Sequence, residues 1–121
     1  MSWIGFLVVI ALTLGYLYIR RAGQVSSKDA AEYLKNGAMI VDVRNPDEFE
    51  AGHLMRAQNM PVDRIEMLAT SMIKDKNKLL LLHCSSGMRS SRAKKKLEAL
   101  GYKNVFNLGS YERAGKIITG R

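Results

Sequence analysis

The stretch Leu79-Leu80-Leu81-Leu82-His83-Cys84-Ser85-Ser86-Gly87-Met88-Arg89-Ser90 decides the architecture of this chain. Residues 79–83 are a short apolar run between charged and turn-forming residues, the pattern of a strand buried on both faces. Ala93, Leu97 and Leu100 then recur at helical spacing, which predicts a helix over residues 90–100. Cys84, the only cysteine of the chain, lies between the two. A lone cysteine is ordinarily a small buried hydrophobe whose reactivity is irrelevant. Here the loop formers Ser85, Ser86 and Gly87 follow it at once, so Cys84 ends the apolar run instead of lying within it. At that junction backbone N–H groups converge and the helix dipole is positive, which favours thiolate over thiol. Gly87 lets the loop turn back and bring its amides close to the sulfur, and Arg89 adds a permanent positive charge. The segment predicts a stabilised anionic sulfur.

Working outward, the same alternation of short apolar runs and helical patterns continues. Ser26 is a good N-cap, with Asp29 three residues on, for a helix running to about Asn36 and stopped by Gly37. Residues 39–43 are largely apolar and read as a strand. Asn45 caps a short helix that opens on Pro46, runs to Glu50 and stops at Gly52. A brief strand is predicted at 57–60, a helix at 62–70, a strand at 104–107, and a final turn or helix from Gly109 to about Ala114. Such alternation implies an α/β fold, a central parallel sheet with helices on both faces. Sites in these sheets form at the carboxyl ends of the strands, which is where Asp42, Arg44 and Cys84 all fall.

Residues 3–19 carry no charge, the short end of what crosses a bilayer as a helix, with Trp3 near one end and Tyr16 and Tyr18 near the other. With almost nothing before the run and Arg20-Arg21 after it, a cleaved signal peptide fits poorly. The expectation is one transmembrane helix ahead of the α/β domain. By the positive-inside rule Arg20, Arg21 and Lys28 place that domain in the cytoplasm, single-pass in an inner or plasma membrane. A single free cysteine suits a reducing compartment.

The net charge of +8 is unevenly placed. Residues 1–73 hold seven Lys and Arg against eight Asp and Glu, a balance of −1, and residues 74–121 hold twelve against three, a balance of +9. Lys94-Lys95-Lys96 reads as the wet side of a helix, as a field that draws anions toward Cys84, or as attraction to anionic lipid. Nucleic-acid binding is disfavoured, because the basic run has no interleaved aromatics.

Two segments together carry a family resemblance. Val41-Asp42-Val43-Arg44-Asn45-Pro46-Asp47-Glu48-Phe49-Glu50-Ala51-Gly52-His53-Leu54 resembles the first signature of the rhodanese family of sulfurtransferases. The loop Cys84-Ser85-Ser86-Gly87-Met88-Arg89 resembles that family's active-site loop, and the likeness runs from about Ser26 to Ala114. The implied organisation is a transmembrane anchor at 1–21, a linker at 22–27 and a single rhodanese-like domain at 28–121. The implied chemistry is a persulfide mechanism. Cys84 takes a sulfane sulfur from thiosulfate or a persulfide and hands it to cyanide or a thiol. Backbone amides of Ser85, Ser86, Gly87, Met88 and Arg89 cradle the terminal sulfur, and Arg89 holds the donor's sulfonate or braces the loop.

Asp42 and Arg44 are supporting residues in this picture, with Arg44 paired to Glu48 or Asp47 to fix the turn. His53 reads as a structural hydrogen-bonding residue, and His83 as a core histidine with a satisfied partner. The resemblance implies neither a metal nor an organic cofactor. The implied partners are a small anionic sulfur donor and a thiol acceptor, with the membrane engaged through residues 3–19; no protein partner is indicated. Related phosphatases also cradle a cysteine nucleophile, but their arginine lies six positions after it and here Arg89 lies five after Cys84. The shorter ring suits sulfur better than a phosphoryl group, leaving phosphatase action, or a sulfur-carrier or interaction module without turnover, as alternatives. Two positions depart from the family: Met55-Arg56 where Pro-Gly is common, and Gly109-Ser110 where Gly-Gly is usual.

Overall fold

The computed structural model describes the backbone of residues 3–120 and the side chains of residues 3–18 and 23–120. In chain order its elements are α1 (Trp3–Ala22), α2 (Ser27–Lys35), β1 (Met39–Asp42), α3 (Pro46–Ala51), β2 (Gln58–Asn59), a 3-10 turn (Val62–Arg64), α4 (Ile65–Met72), β3 (Leu80–His83), α5 (Met88–Ala99), β4 (Val105–Gly109) and α6 (Tyr111–Thr119). The strands form one parallel sheet in the order β2-β1-β3-β4.

Period-two alternation along β3 sorts the core into two layers. Leu80, Leu82 and Cys84 face the layer built by Val41, Val43, Ile65, Ala69, Ala93 and Leu97, beneath α4 and α5. Leu81 faces the opposite layer with Ala30, Leu108 and Ala114, beneath α2 and α6. Cys84 therefore continues the inward register of Leu80 and Leu82, which aims its sulfur under the start of α5. The helices begin where their caps dictate. Ser26 Oγ accepts from Asp29 N at 3.1 Å, and Asn45 and Glu48 form a reciprocal capping box at α3.

Several boundaries differ from the sequence reading; β4, for one, runs to Gly109 instead of ending at 107. α5 starts at Met88, two residues early, because Gly87 at φ +97° turns the chain directly into the helix. The helix expected at 62–70 opens as the 3-10 turn and becomes regular only at Ile65. α6 continues past Ala114 to Thr119, since Ile117 and Ile118 pack against the second layer.

The transmembrane expectation is overturned. Residues 3–19 do lie in one helix, α1, but among the described residues no helix is long and apolar enough to cross a membrane. Seventeen uncharged residues rise about 25 Å as a helix. That falls short of the roughly 30 Å of a bilayer's hydrocarbon core. The expected single-pass placement in an inner or plasma membrane, with the catalytic domain cytoplasmic, rested on that span and falls with it. The Arg20 and Arg21 side chains used to orient it lie outside the described residues.

Residues 22–27 do more than link. Val25 N donates to Asn107 O at 2.9 Å, Gln24 forms a parallel bridge with Asn107, and Arg113 donates to the carbonyl of Val25. The segment is thereby tied to the outer edge of β4, beside the Cys84 loop.

Candidate functional site

The Cys84 loop leaves the centre of the sheet, where β3 is flanked by β1 and β4. At its root β4 carries an irregularity: Asn107 pairs with Leu82, but Gly109 pairs with His83, so Leu108 is an extra residue. The bulge brings the carbonyl of Gly109 to Cys84 N at 3.2 Å and fixes where the loop departs. Gly109 (φ +92°) and Gly87 (φ +97°) meet there. A Cβ on Gly87 would lie 3.2 Å from Gly109 Cα, and one on Gly109 would lie 2.6 Å from Gln24 Nε2. Both positions need glycine for backbone conformation and for space.

Cys84 is wholly buried, and its sulfur is a hydrogen-bond acceptor. Gly87 N donates to Sγ at 2.9 Å and Ser90 N at 3.4 Å, while Ser90 Oγ lies 3.5 Å away. Burial pushes the thiol pKa up. Hydrogen bonds from the Ser90 hydroxyl and from the amides of Ser90, Gly87 and Ser86 outweigh burial and bring it below the ordinary thiol value. Ser85, Ser86 and Met88 form the exposed rim of the loop.

Arg89 does not turn toward the sulfur. Its Nη1 donates to Glu48 Oε1 at 2.6 Å, and its Nη2 to Glu48 Oε2 at 3.0 Å and to Ser85 Oγ at 2.9 Å. Of the two roles implied for Arg89, this geometry is bracing. Arg89 holds the Glu48 carboxyl well below the usual carboxylate range, at about 2, with the Asn45 amide assisting. Glu48 thus caps α3 and anchors the loop at once.

The expected Arg44 partner was Glu48 or Asp47; the observed one is Asp42. Arg44 Nε and Nη2 donate to the Asp42 carboxylate at 3.0 and 2.8 Å, and Nη2 reaches the Gly52 carbonyl at 2.7 Å. The guanidinium sits 4.6 Å from the centre of the Tyr111 ring. Asp42 is fully buried and Arg44 nearly so. The pair therefore ties the end of β1 to the end of α3 and the start of α6.

His53 is structural as read, its Nδ1 3.0 Å from the Phe49 carbonyl and its ring stacked on Phe49. His83 departs from the reading. Its Nδ1 is 3.3 Å from Cys84 O, but buried Nε2 has no hydrogen-bond partner, Asp42 Oδ2 standing 3.8 Å off. Burial lowers the His83 pKa despite the neighbouring Asp42 charge, which favours the neutral ring.

Sequence reasoning missed Ser90, Asn107 and Gln24. Ser90 Oγ lies 2.7 Å from Asn107 Oδ1 and 3.0 Å from Gly87 O, as well as near the sulfur. Asn107 Oδ1 also accepts from Gly109 N at 2.8 Å. Buried polar residues on a strand and on the first turn of a helix demand partners, and that was the available signal for Ser90 and Asn107. Nothing local marked Gln24, because Asn107, with which it bridges, lies at the far end of the chain.

The chain matches the rhodanese-like domain over residues 26–114, nearly three-quarters of its length. It belongs to the rhodanese-like family. The Bacillus subtilis protein YqhL is 29% identical over 93% of this chain and 89% of its own length. The thiosulfate sulfurtransferase PspE of Escherichia coli is 32% identical over 57% of this chain, covering 66% of PspE. Among solved structures, the human single-domain sulfurtransferase TSTD1 superposes with a TM-score of 0.64 at 25% identity, covering 76% of this chain and 94% of TSTD1. The rhodanese-like parallel sheet is thus confirmed, without the preceding transmembrane helix, and the family's relatives include sulfurtransferases.

Proposed function

We propose that this rhodanese-like chain is a sulfurtransferase that carries a sulfane sulfur as a Cys84 persulfide. One observation carries the reading: a lone cysteine sulfur that accepts from Gly87 N at 2.9 Å and is approached by both the amide and the hydroxyl of Ser90. Those donors stabilise Sγ as an anion both as nucleophile and as leaving group. In the first half-reaction Cys84 thiolate attacks the outer sulfur of thiosulfate. A new S–S bond forms, the donor's S–S bond breaks, and its electron pair leaves with sulfite. In the second, an acceptor thiolate attacks the outer sulfur of the protonated persulfide. The Sγ–S bond breaks, its electron pair returns to Sγ, and the acceptor departs as a protonated persulfide.

The name of PspE makes thiosulfate the first donor to try. Because Cys84 exposes no surface, the rim residues Ser85, Ser86 and Met88 must part slightly to admit a donor. Phosphatase action is disfavoured, since the arginine of the loop is already bound to Glu48 and Ser85. Incubation with thiosulfate and cyanide is expected to yield thiocyanate, with the yield abolished by Cys84→Ser. Full turnover by that variant overturns the proposal.

A further inference from the structure

A groove of about 420 Å³ opens beside the Cys84 loop, lined among others by Gly87, Met88, Arg92, Lys95, Asn107 and Tyr16. That is the size of a small-molecule site and far more than thiosulfate occupies. Its charge is one-sided. Among the described residues Arg92 pairs only with Asp63, at 3.8 Å with both side chains largely exposed, and Lys95 has no ion-pair partner. The neighbours of Lys95 are engaged elsewhere, Lys94 with Glu98 at 3.2 Å and Lys96 with Glu66 at 3.4 Å. The basic run on α5 is therefore sorted: its flanking lysines pair with acids while Lys95 faces the groove. Met88, Arg92 and Lys95 lie four and seven positions along one helix face, so the cations stand about 6 and 10 Å beyond the loop rim along α5.

We infer that this groove is the acceptor subsite, and that it selects thiols carrying a carboxylate or comparable anion several bonds from the sulfur. Met88 and the Tyr16 ring cover the apolar body of such a molecule, Arg92 and Lys95 take its anionic end, and its sulfur lies at the loop. A compact anion spends all its charge inside the cradle and cannot reach both cations. The inference rests on the sulfur-transfer reading above and adds the class of acceptor.

The test compares three alkyl thiols as acceptors for the thiosulfate-loaded protein: mercaptohexanoate, mercaptohexanol and mercaptopropionate. The first two have similar length and thiol reactivity and differ in terminal charge; the third carries the charge too close to the sulfur. Mercaptohexanoate is expected to exceed mercaptohexanol in kcat/KM by about threefold to tenfold, the range two partly exposed ion pairs supply. The advantage shrinks in high salt. It falls to near unity in the double variant Arg92→Gln/Lys95→Gln, while mercaptopropionate shows little advantage in either protein. Equal efficiency with mercaptohexanoate and mercaptohexanol in the unaltered protein overturns the inference and leaves sulfur transfer standing. So does an equal preference for mercaptopropionate, which would mean the field of the basic half acts without a subsite. Failure of Cys84 to take up sulfur at all overturns both.

Discussion

Arg89 and Glu48, forty-one positions apart, meet through two hydrogen bonds of 2.6 and 3.0 Å and so join the cysteine loop to the cap of α3. The two segments that identify the family are thus one mechanical unit. Glu48→Gln keeps an oxygen to accept from the Asn45 amide but removes the charge. It is expected to cost about 1 kcal/mol at neutral pH, since both partners are roughly one-third exposed and solvent screens the pair. The Glu48 carboxyl is depressed from 4.5 to about 2, so the pair's contribution is complete above pH 4.5 and is lost as pH falls toward 2. Denaturant unfolding of both proteins from pH 7 to pH 2 should show the difference vanish over that window.

Ser90 has one hydroxyl proton and three acceptors within reach: the Cys84 sulfur, Asn107 Oδ1 and Gly87 O. When Sγ is anionic the proton belongs there, and Gly109 N still satisfies Asn107. Ser90→Ala is expected to raise the Cys84 pKa and to slow alkylation by iodoacetamide at neutral pH several-fold, with Ser90→Thr restoring most of it. The pH profile of the alkylation rate separates this from a merely structural effect: the midpoint moves up in the alanine variant, while the plateau at high pH changes little.

Asp42 and Arg44 are a buried pair, so removing one charge strands the other. Asp42→Asn is expected to destabilise by about 3–5 kcal/mol. Asp42→Asn/Arg44→Met should recover most of that loss in stability. A double-mutant cycle by chemical denaturation measures the coupling, and additivity would remove the bracing role argued for the pair.

Arg56 adopts φ +67° in the position where the family commonly has glycine. Left-handed backbone strains a side-chain-bearing residue, whereas glycine adopts it freely at a cost in unfolded-chain entropy. Arg56→Gly is expected to raise stability by about 0.5 kcal/mol, read as a small increase in Tm.

Much of this arrangement was legible from local pattern. The apolar run through Leu82 specified a buried strand, Asn45-Pro46 specified the start of a helix, and the loop formers after Cys84 specified a cradle. What stayed hidden was pairing across distance. Arg44 has acids on both sides in sequence, and only strand geometry shows that Asp42 presents both its oxygens to the guanidinium. Arg89 chose Glu48 for the same reason. Ser90 and Asn107 are seventeen positions apart, and no local periodicity announces that they share a proton. The membrane reading of residues 3–19 rested on a run at the short end of a bilayer span, and among the described residues no helix is long and apolar enough to cross one.

Whether Cys84 carries sulfur is read by intact-protein and peptide mass spectrometry after brief treatment with thiosulfate. A mass increase of one sulfur atom is expected on the peptide containing Cys84, removed by cyanide with release of thiocyanate and absent in Cys84→Ser. An unmodified Cys84 after the same treatment would overturn the sulfur-transfer reading.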